Sequence, residues 1–147
     1  MARRRTTAVA MVVAGAVAGL TLVSGAGASA PTVLQANIAG KNEVPKAGSG
    51  TGFAKLTINA STGRVCFNIT LKGVGSVAAG HIHKGASGKA GPVVIPLFAK
   101  PTAHPKGCVK GQDKSALSAI LKSPGQYYVN VHNAKYPDGA ARGQLKK

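Results

Sequence analysis

The chain holds 147 residues, 19 of them Lys or Arg against only three acids, Glu43, Asp113 and Asp138, which gives a formal charge of +16 at pH 7. Three acids so far apart exclude the paired-carboxylate chemistry of glycoside hydrolysis, and the charge excess predicts attraction to polyanions. Once an N-terminal leader is set aside, the remainder is long enough for one domain with a modest core and too short for two.

Residues 1–28 differ from the rest. Arg3, Arg4 and Arg5 precede an apolar stretch from Ala8 to Val23, and small residues continue to Ala30. This is the layout of an export signal, with cleavage expected after Ala28. The apolar run, at about 16 residues, falls short of the roughly 20 that a membrane-spanning helix needs, so no transmembrane anchor is expected. The protein is therefore expected to be secreted, extracellular or cell-wall associated, with residues 29–147 as its single mature domain. Export removes nucleic acid from the candidate partners and leaves anionic cell-wall or extracellular polymers, or a secreted protein. A solvated lysine surface is the competing account of the charge, because the lysines are scattered singly.

From residue 33 onward, period-two patterns dominate. Leu34, Ala36 and Ile38 alternate with Val33, Gln35 and Asn37, and Ala54, Leu56 and Ile58 alternate with Lys55, Thr57 and Asn59. After the turn "NASTGR", Val65, Phe67, Ile69 and Leu71 share one face of a third strand, with Arg64, Cys66, Asn68 and Thr70 on the other. A fourth strand is expected over residues 77–83 and a fifth over 92–98, with "KGASGKAG" turning between them. That turn lacks the Gly-Lys-Ser/Thr ending of a phosphate loop and precedes a strand rather than a helix. Residues 99–113 read as a long loop or short strand around Cys108. In "DKSALSAILKS", Asp113 caps a short helix whose apolar face is Ala116, Leu117, Ile120 and Leu121. "GQYYVNVHN" is another strand, "YPDG" a turn and "ARGQL" a closing strand. About eight short strands and one short helix give an all-β, antiparallel Greek-key β-sandwich or barrel. In an exported domain, Cys66 and Cys108 read as one disulfide, with two buried thiols as the alternative.

The candidate chemistry lies in "GHIHKG". Successive strand residues point to opposite faces, so His81 and His83 share one face and Ile82 takes the other. Two neutral imidazoles so placed can converge on copper or zinc, joined by His132, which ends a later strand on the face of Tyr128 and Asn130. The alternative is structural: one imidazole donates to a backbone carbonyl while the other packs against the neighbouring strand or the glycine-rich turn. Asp138 is the acid placed to orient a ligating histidine. One of Tyr127 and Tyr128 is expected in the core, the other exposed or supporting His132. His104, beside Pro105 in a Lys-rich loop, is expected to be exposed.

The segments "KNEVP" (41–45), "AAGHIHKGASGKAGPVVIPL" (78–97) and "YYVNVHNAKYPDGAARGQL" (127–145) resemble, in order and spacing, the CHRD (chordin) domain, a family common among exported bacterial proteins. His81, His83, His132 and Arg142 match its motifs, and His104 does not. The resemblance implies structural roles for Glu43, Pro45, Gly85, Gly91, Pro92, Asn130, Arg142 and Gly143, and no established catalytic activity. The family usually carries an acid where this chain has Ala140 or Ala141, a departure that removes a possible partner for Arg142 or a histidine. A looser likeness links the order of the histidines to the Greek-key fold of Cu,Zn superoxide dismutase, without that family's zinc-site aspartate.

These observations together predict a monomeric, non-catalytic binding module with a basic surface. The alternative is a copper- or zinc-binding protein, conceivably redox-active, that uses His81, His83 and His132. A purely structural wall or matrix protein is a third possibility.

Overall fold

Alternation of apolar and polar side chains builds the strands in the computed structural model, which describes residues 29–147. The export signal read at residues 1–28 lies outside the described residues. In β1 (Thr32–Ala39), β2 (Thr51–Asn59) and β3 (Arg64–Lys72) the residues predicted to face inward do so. Leu34, Ala36, Ala54, Leu56, Ile58 and Val65 are fully buried, and Ile38, Phe67 and Ile69 nearly so. Each large aliphatic side chain removed from water contributes about 1.5–3 kcal/mol. β4 (Ala79–Lys84) and β5 (Val93–Phe98) add Ile82, Ile95 and Leu97 to the same core, and β7 (Tyr127–His132) and β8 (Ala141–Gln144) add Val129, Val131 and Ala141.

All eight strands lie in one antiparallel sheet, in the order β5-β4-β7-β8-β1-β2-β3-β6, where β6 is Lys106–Val109. The sheet curls into a nearly closed barrel, so the sandwich-or-barrel alternative resolves to a single wrapped layer. Across the gap between its two edges, the rings of Phe67 and Phe98 stack with centroids 5.8 Å apart. A lone antiparallel bridge joins Val77 to Thr102 nearby. Val77 therefore belongs to that bridge rather than to the fourth strand, which begins two residues later.

The short edge strand β6 is secured covalently. Cys66 and Cys108 face each other across the β3–β6 pair and form a disulfide that spans 42 residues of sequence. Cys108 thus sits in a strand and not in a loop. For a closed loop of that length, chain-entropy arguments give on the order of 4 kcal/mol. The helix α1 (Lys114–Lys122) is capped by Asp113, whose carboxylate accepts from the Ser115 and Ala116 N–H groups. The Ser115 hydroxyl also donates to this carboxylate, at 2.6 Å, and that bond above all, with the two N–H bonds, holds the Asp113 carboxyl below its ordinary range. Leu117 and Ile120 of α1 are fully buried in the barrel core, flanked by the partly buried Ala116 and Leu121. Among the described residues no helix is long and apolar enough to cross a membrane.

Candidate functional site

Pairing of β4, β7 and β8 decides which polar groups meet. The register sets His81 opposite Asn130 and Asn130 opposite Arg142, while His83 lies opposite Tyr128 and Tyr128 opposite Gln144. Ala79 lies opposite His132. Since Ile82, Val129 and Val131 point into the barrel, all of these polar side chains share its other face. Three connections lie over that face: the segment after β1, the turn after β4 and the segment after β7.

His81, His83 and His132 converge. Each is half-buried, and one nitrogen from each ring lies within 4.8 Å of the others. His81 Nδ1 is 3.1 Å from His132 Nε2. His132 Nδ1 lies 2.8 Å from the Pro137 carbonyl and His83 Nδ1 2.9 Å from the Gly91 carbonyl. A carbonyl only accepts, so both Nδ1 atoms carry the proton and both Nε2 atoms present a bare lone pair. The Nε2 of His83 is buried and has no hydrogen-bond partner among the described residues. Burial, with the neighbouring His132 and His83, pushes His81 down to about 4. Burial also lowers His83, against the pull of its bond to Gly91. The net effect favours the neutral form of His81 and His83.

Two glycines permit this arrangement. A side chain at Gly91 would overlap the Lys84 carbonyl, so only glycine lets the turn fold back far enough to offer its own carbonyl to His83. At Gly139 the backbone has φ +150°, and an added Cβ would press on the Glu43 carboxylate and the Asn130 amide.

Beside the histidines sits a second buried cluster. Asn130 Nδ2 donates to both oxygens of Glu43, at 2.9 and 3.2 Å. Arg142 Nε is 3.8 Å from Glu43 Oε2 and donates to the Asn42 carbonyl at 2.6 Å, while Nη1 donates to the Lys89 carbonyl at 3.0 Å. The guanidinium also lies 4.6 Å from the Tyr128 ring centroid. Burial pushes the Glu43 carboxyl up to about 7, opposed by Arg142 and the Val44 N–H.

Several expectations are corrected by this geometry. Backbone carbonyls, not Asp138, orient His83 and His132; within the His81/His83 pair one imidazole, that of His83, donates to a carbonyl, as the structural alternative has it, while His81 faces His132. Arg142 does not lose its acid: Glu43 supplies it from the other end of the sequence. Both tyrosines are buried, and Tyr128 supports His83 rather than His132, stacking on it with centroids 5.0 Å apart while its hydroxyl accepts from the Gly91 N–H. His104 is exposed, as expected, and stands outside the cluster. Of the remaining motif residues, Pro45 follows the Val44 peptide in the segment after β1, and Gly85 and Pro92 bracket the turn after β4, where the Pro92 carbonyl accepts from Lys84 N–H. Gly143 lies in β8 where a side chain would strike the β1 backbone at Asn37.

The sequence reading missed a feature on the far side of the barrel. Lys146, Gln35, Lys55, Asn68 and Lys106 lie directly opposite one another in turn, across the C-terminal segment, β1, β2, β3 and β6. Directly opposed residues share a face, so the row sets lysines and amides alternately on the outside of the sheet. Arg64 and Lys72 extend the same face of β3, and the four strands contain no acid. The period-two pattern placed each lysine outward; their alignment depends on register.

Among known families, the CHRD domain matches residues 34–145. No curated protein and no solved structure matches the chain.

Proposed function

The chain belongs to the CHRD domain family, and on that premise we propose that it is an exported, non-catalytic binding module of the cell wall or extracellular space that holds anionic polymers on a basic face. The cross-strand lysine row carries this reading. Strands are about 4.8 Å apart, so lysines on alternate strands stand roughly 10 Å apart, near the screening length at 0.1 M salt. Their fields therefore overlap, and a linear polyanion laid across the strands meets one cation after another.

The disposition of charge adds support. Every lysine among the described residues is exposed, whereas one of the three acids, Glu43, is buried beside Arg142. Asp113 is engaged by the helix N-terminus. Export rests on the leader at residues 1–28 and agrees with the disulfide. On this reading residues 29–147 act as a single monomeric domain, and a secreted protein with an acidic surface is the competing partner.

Retention of the full-length chain on alginate beads, a carboxylated polysaccharide, tests the proposal against neutral dextran beads. Retention is expected to fall steeply between roughly 0.05 and 0.5 M salt, as the screening length drops below the lysine spacing. Lys55→Gln with Lys106→Gln is expected to weaken it, and Lys122→Gln on α1 to leave it nearly unchanged. Retention that ignores salt, or that survives the double substitution intact, overturns the proposal.

A further inference from the structure

Independently of the polyanion reading, the geometry points to a divalent transition-metal site made of His81 Nδ1, His83 Nε2 and His132 Nε2, which takes copper(II) or zinc(II). Three features separate it from a chance grouping of rings. First, the donors come from two adjacent strands whose pairing fixes their positions: His81 and His83 alternate on β4, and His132 closes β7. Second, His83 and His132 each have Nδ1 committed to a backbone carbonyl at 2.9 and 2.8 Å. Such an outer bond fixes the tautomer and the ring orientation of a ligating histidine and raises its basicity. Third, the lone pair this leaves on His83 Nε2 is buried without a partner, a cost that a bound cation would offset.

The spacing suits such an ion. Bonds of about 2.0–2.1 Å in a tetrahedral arrangement put ligand nitrogens roughly 3.3 Å apart. The His81–His132 pair already stands at 3.1 Å, and one nitrogen from each of the three rings lies within 4.8 Å of the others. His83 is held by Gly91 and by stacking on Tyr128, and His132 by Pro137. His81 makes its Nδ1 bond to His132 instead of to a carbonyl, so it is the ring that pivots. Without an ion, its Nδ1 proton satisfies the bare His132 nitrogen. On metal binding that proton moves to His81 Nε2, so the ring stays neutral and both lone pairs become ligands.

Donor chemistry sets the selectivity. Three neutral imidazoles without a carboxylate suit copper and zinc, and disfavour calcium and magnesium, which take oxygen ligands. Copper(II) is expected to bind more tightly than zinc(II). A bound ion would tie the ends of β4 and β7 to the turn carrying Gly91 and the segment carrying Pro137.

The test uses the full-length chain dialysed against copper(II), zinc(II) or calcium, then against metal-free buffer, with bound metal counted. One copper or zinc per chain is expected, and no calcium. His83→Ala and His132→Ala are each expected to weaken binding by at least about 100-fold, the upper end for loss of an outer partner alone. His104→Ala is expected to bind as the unaltered chain does. Wild-type protein without stoichiometric metal, or full-strength binding in either His83→Ala or His132→Ala, overturns the proposal. Electron paramagnetic resonance of the copper-loaded wild type keeps the question open to refutation if a variant fails to fold: splitting from several imidazole nitrogens is expected, and a spectrum without it overturns the site.

Discussion

On one face of the β4–β7–β8 sheet, two polar clusters sit side by side and meet the cost of burial in opposite ways. Glu43, Asn130 and Arg142 keep a buried acid beside a buried base: Asn130 donates to Glu43, and Arg142 donates through Nε and Nη1 to the carbonyls of Asn42 and Lys89. In the other cluster burial pushes His81 and His83 toward the neutral form, and the three rings turn nitrogens toward one another while carbonyls hold His83 and His132 from behind. The first cluster is built around an acid and a base and ties both to the fold, although Asn130 Oδ1 and Arg142 Nη2 stay without a partner among the described residues. The second is built from three rings of one kind, and the buried atom it leaves without a partner is a lone pair, His83 Nε2.

The largest expected effect falls on the first cluster. Arg142→Ala removes the bonds to Asn42 and Lys89, the contact with Tyr128 and the partner of Glu43. By analogy with other broken buried pairs it should cost about 3–5 kcal/mol in urea unfolding. A loss well under 1 kcal/mol would show that the cluster does not hold the fold.

A titration of stability against pH sharpens the contrast. The Glu43 carboxyl sits at about 7 in the fold against an ordinary 4.5, so the fold holds its proton more tightly than the unfolded chain does. Its contribution is fully present below 4.5 and is lost as pH rises through 7, by up to about 3 kcal/mol. His81 runs the other way. With about 4 in the fold against 6.5, its contribution is present above 6.5 and lost as pH falls through 4. The two partly cancel in the native protein, so Glu43→Gln is expected to expose the histidine contribution as a steeper loss of stability on acidification from pH 6.5 to 4. Parallel curves for the two proteins would contradict this division of roles.

The smallest effect links the clusters. Tyr128 stacks on His83, contacts Arg142 and accepts from the Gly91 N–H. Tyr128→Phe keeps the ring and removes only the hydroxyl, so thermal or urea unfolding should register a loss of about 1 kcal/mol. A change of 3 kcal/mol or more would mean that the hydroxyl does much more than anchor the turn.

Strand faces were legible in the sequence because period-two alternation is local. Leu34, Ala36 and Ile38, or Val65, Phe67 and Ile69, announce an inner face without reference to any other strand, and the same rule puts His81 and His83 on one side. The Asp113 cap and the Leu117/Ile120 face are likewise contained within a dozen residues. Glu43 gave a weaker signal: it is one of only three acids and stands in the "KNEVP" motif, yet nothing local ties it to an arginine 99 positions later.

Local chemistry therefore determined which residues point inward, where the helix starts and which two imidazoles travel together. Tertiary pairing decided the rest. The sheet order brings β7 beside β4 and so His132 to His81, and the registers line up Lys146, Lys55 and Lys106 across distant segments. Glycine at 91 is required for its turn, but that the carbonyls of Gly91 and Pro137 meet His83 and His132 follows from how these connections fold over the sheet. Because a slip of one residue would turn every side chain of a strand to the opposite face, these meetings depend on long-range register, which no single stretch of the chain encodes.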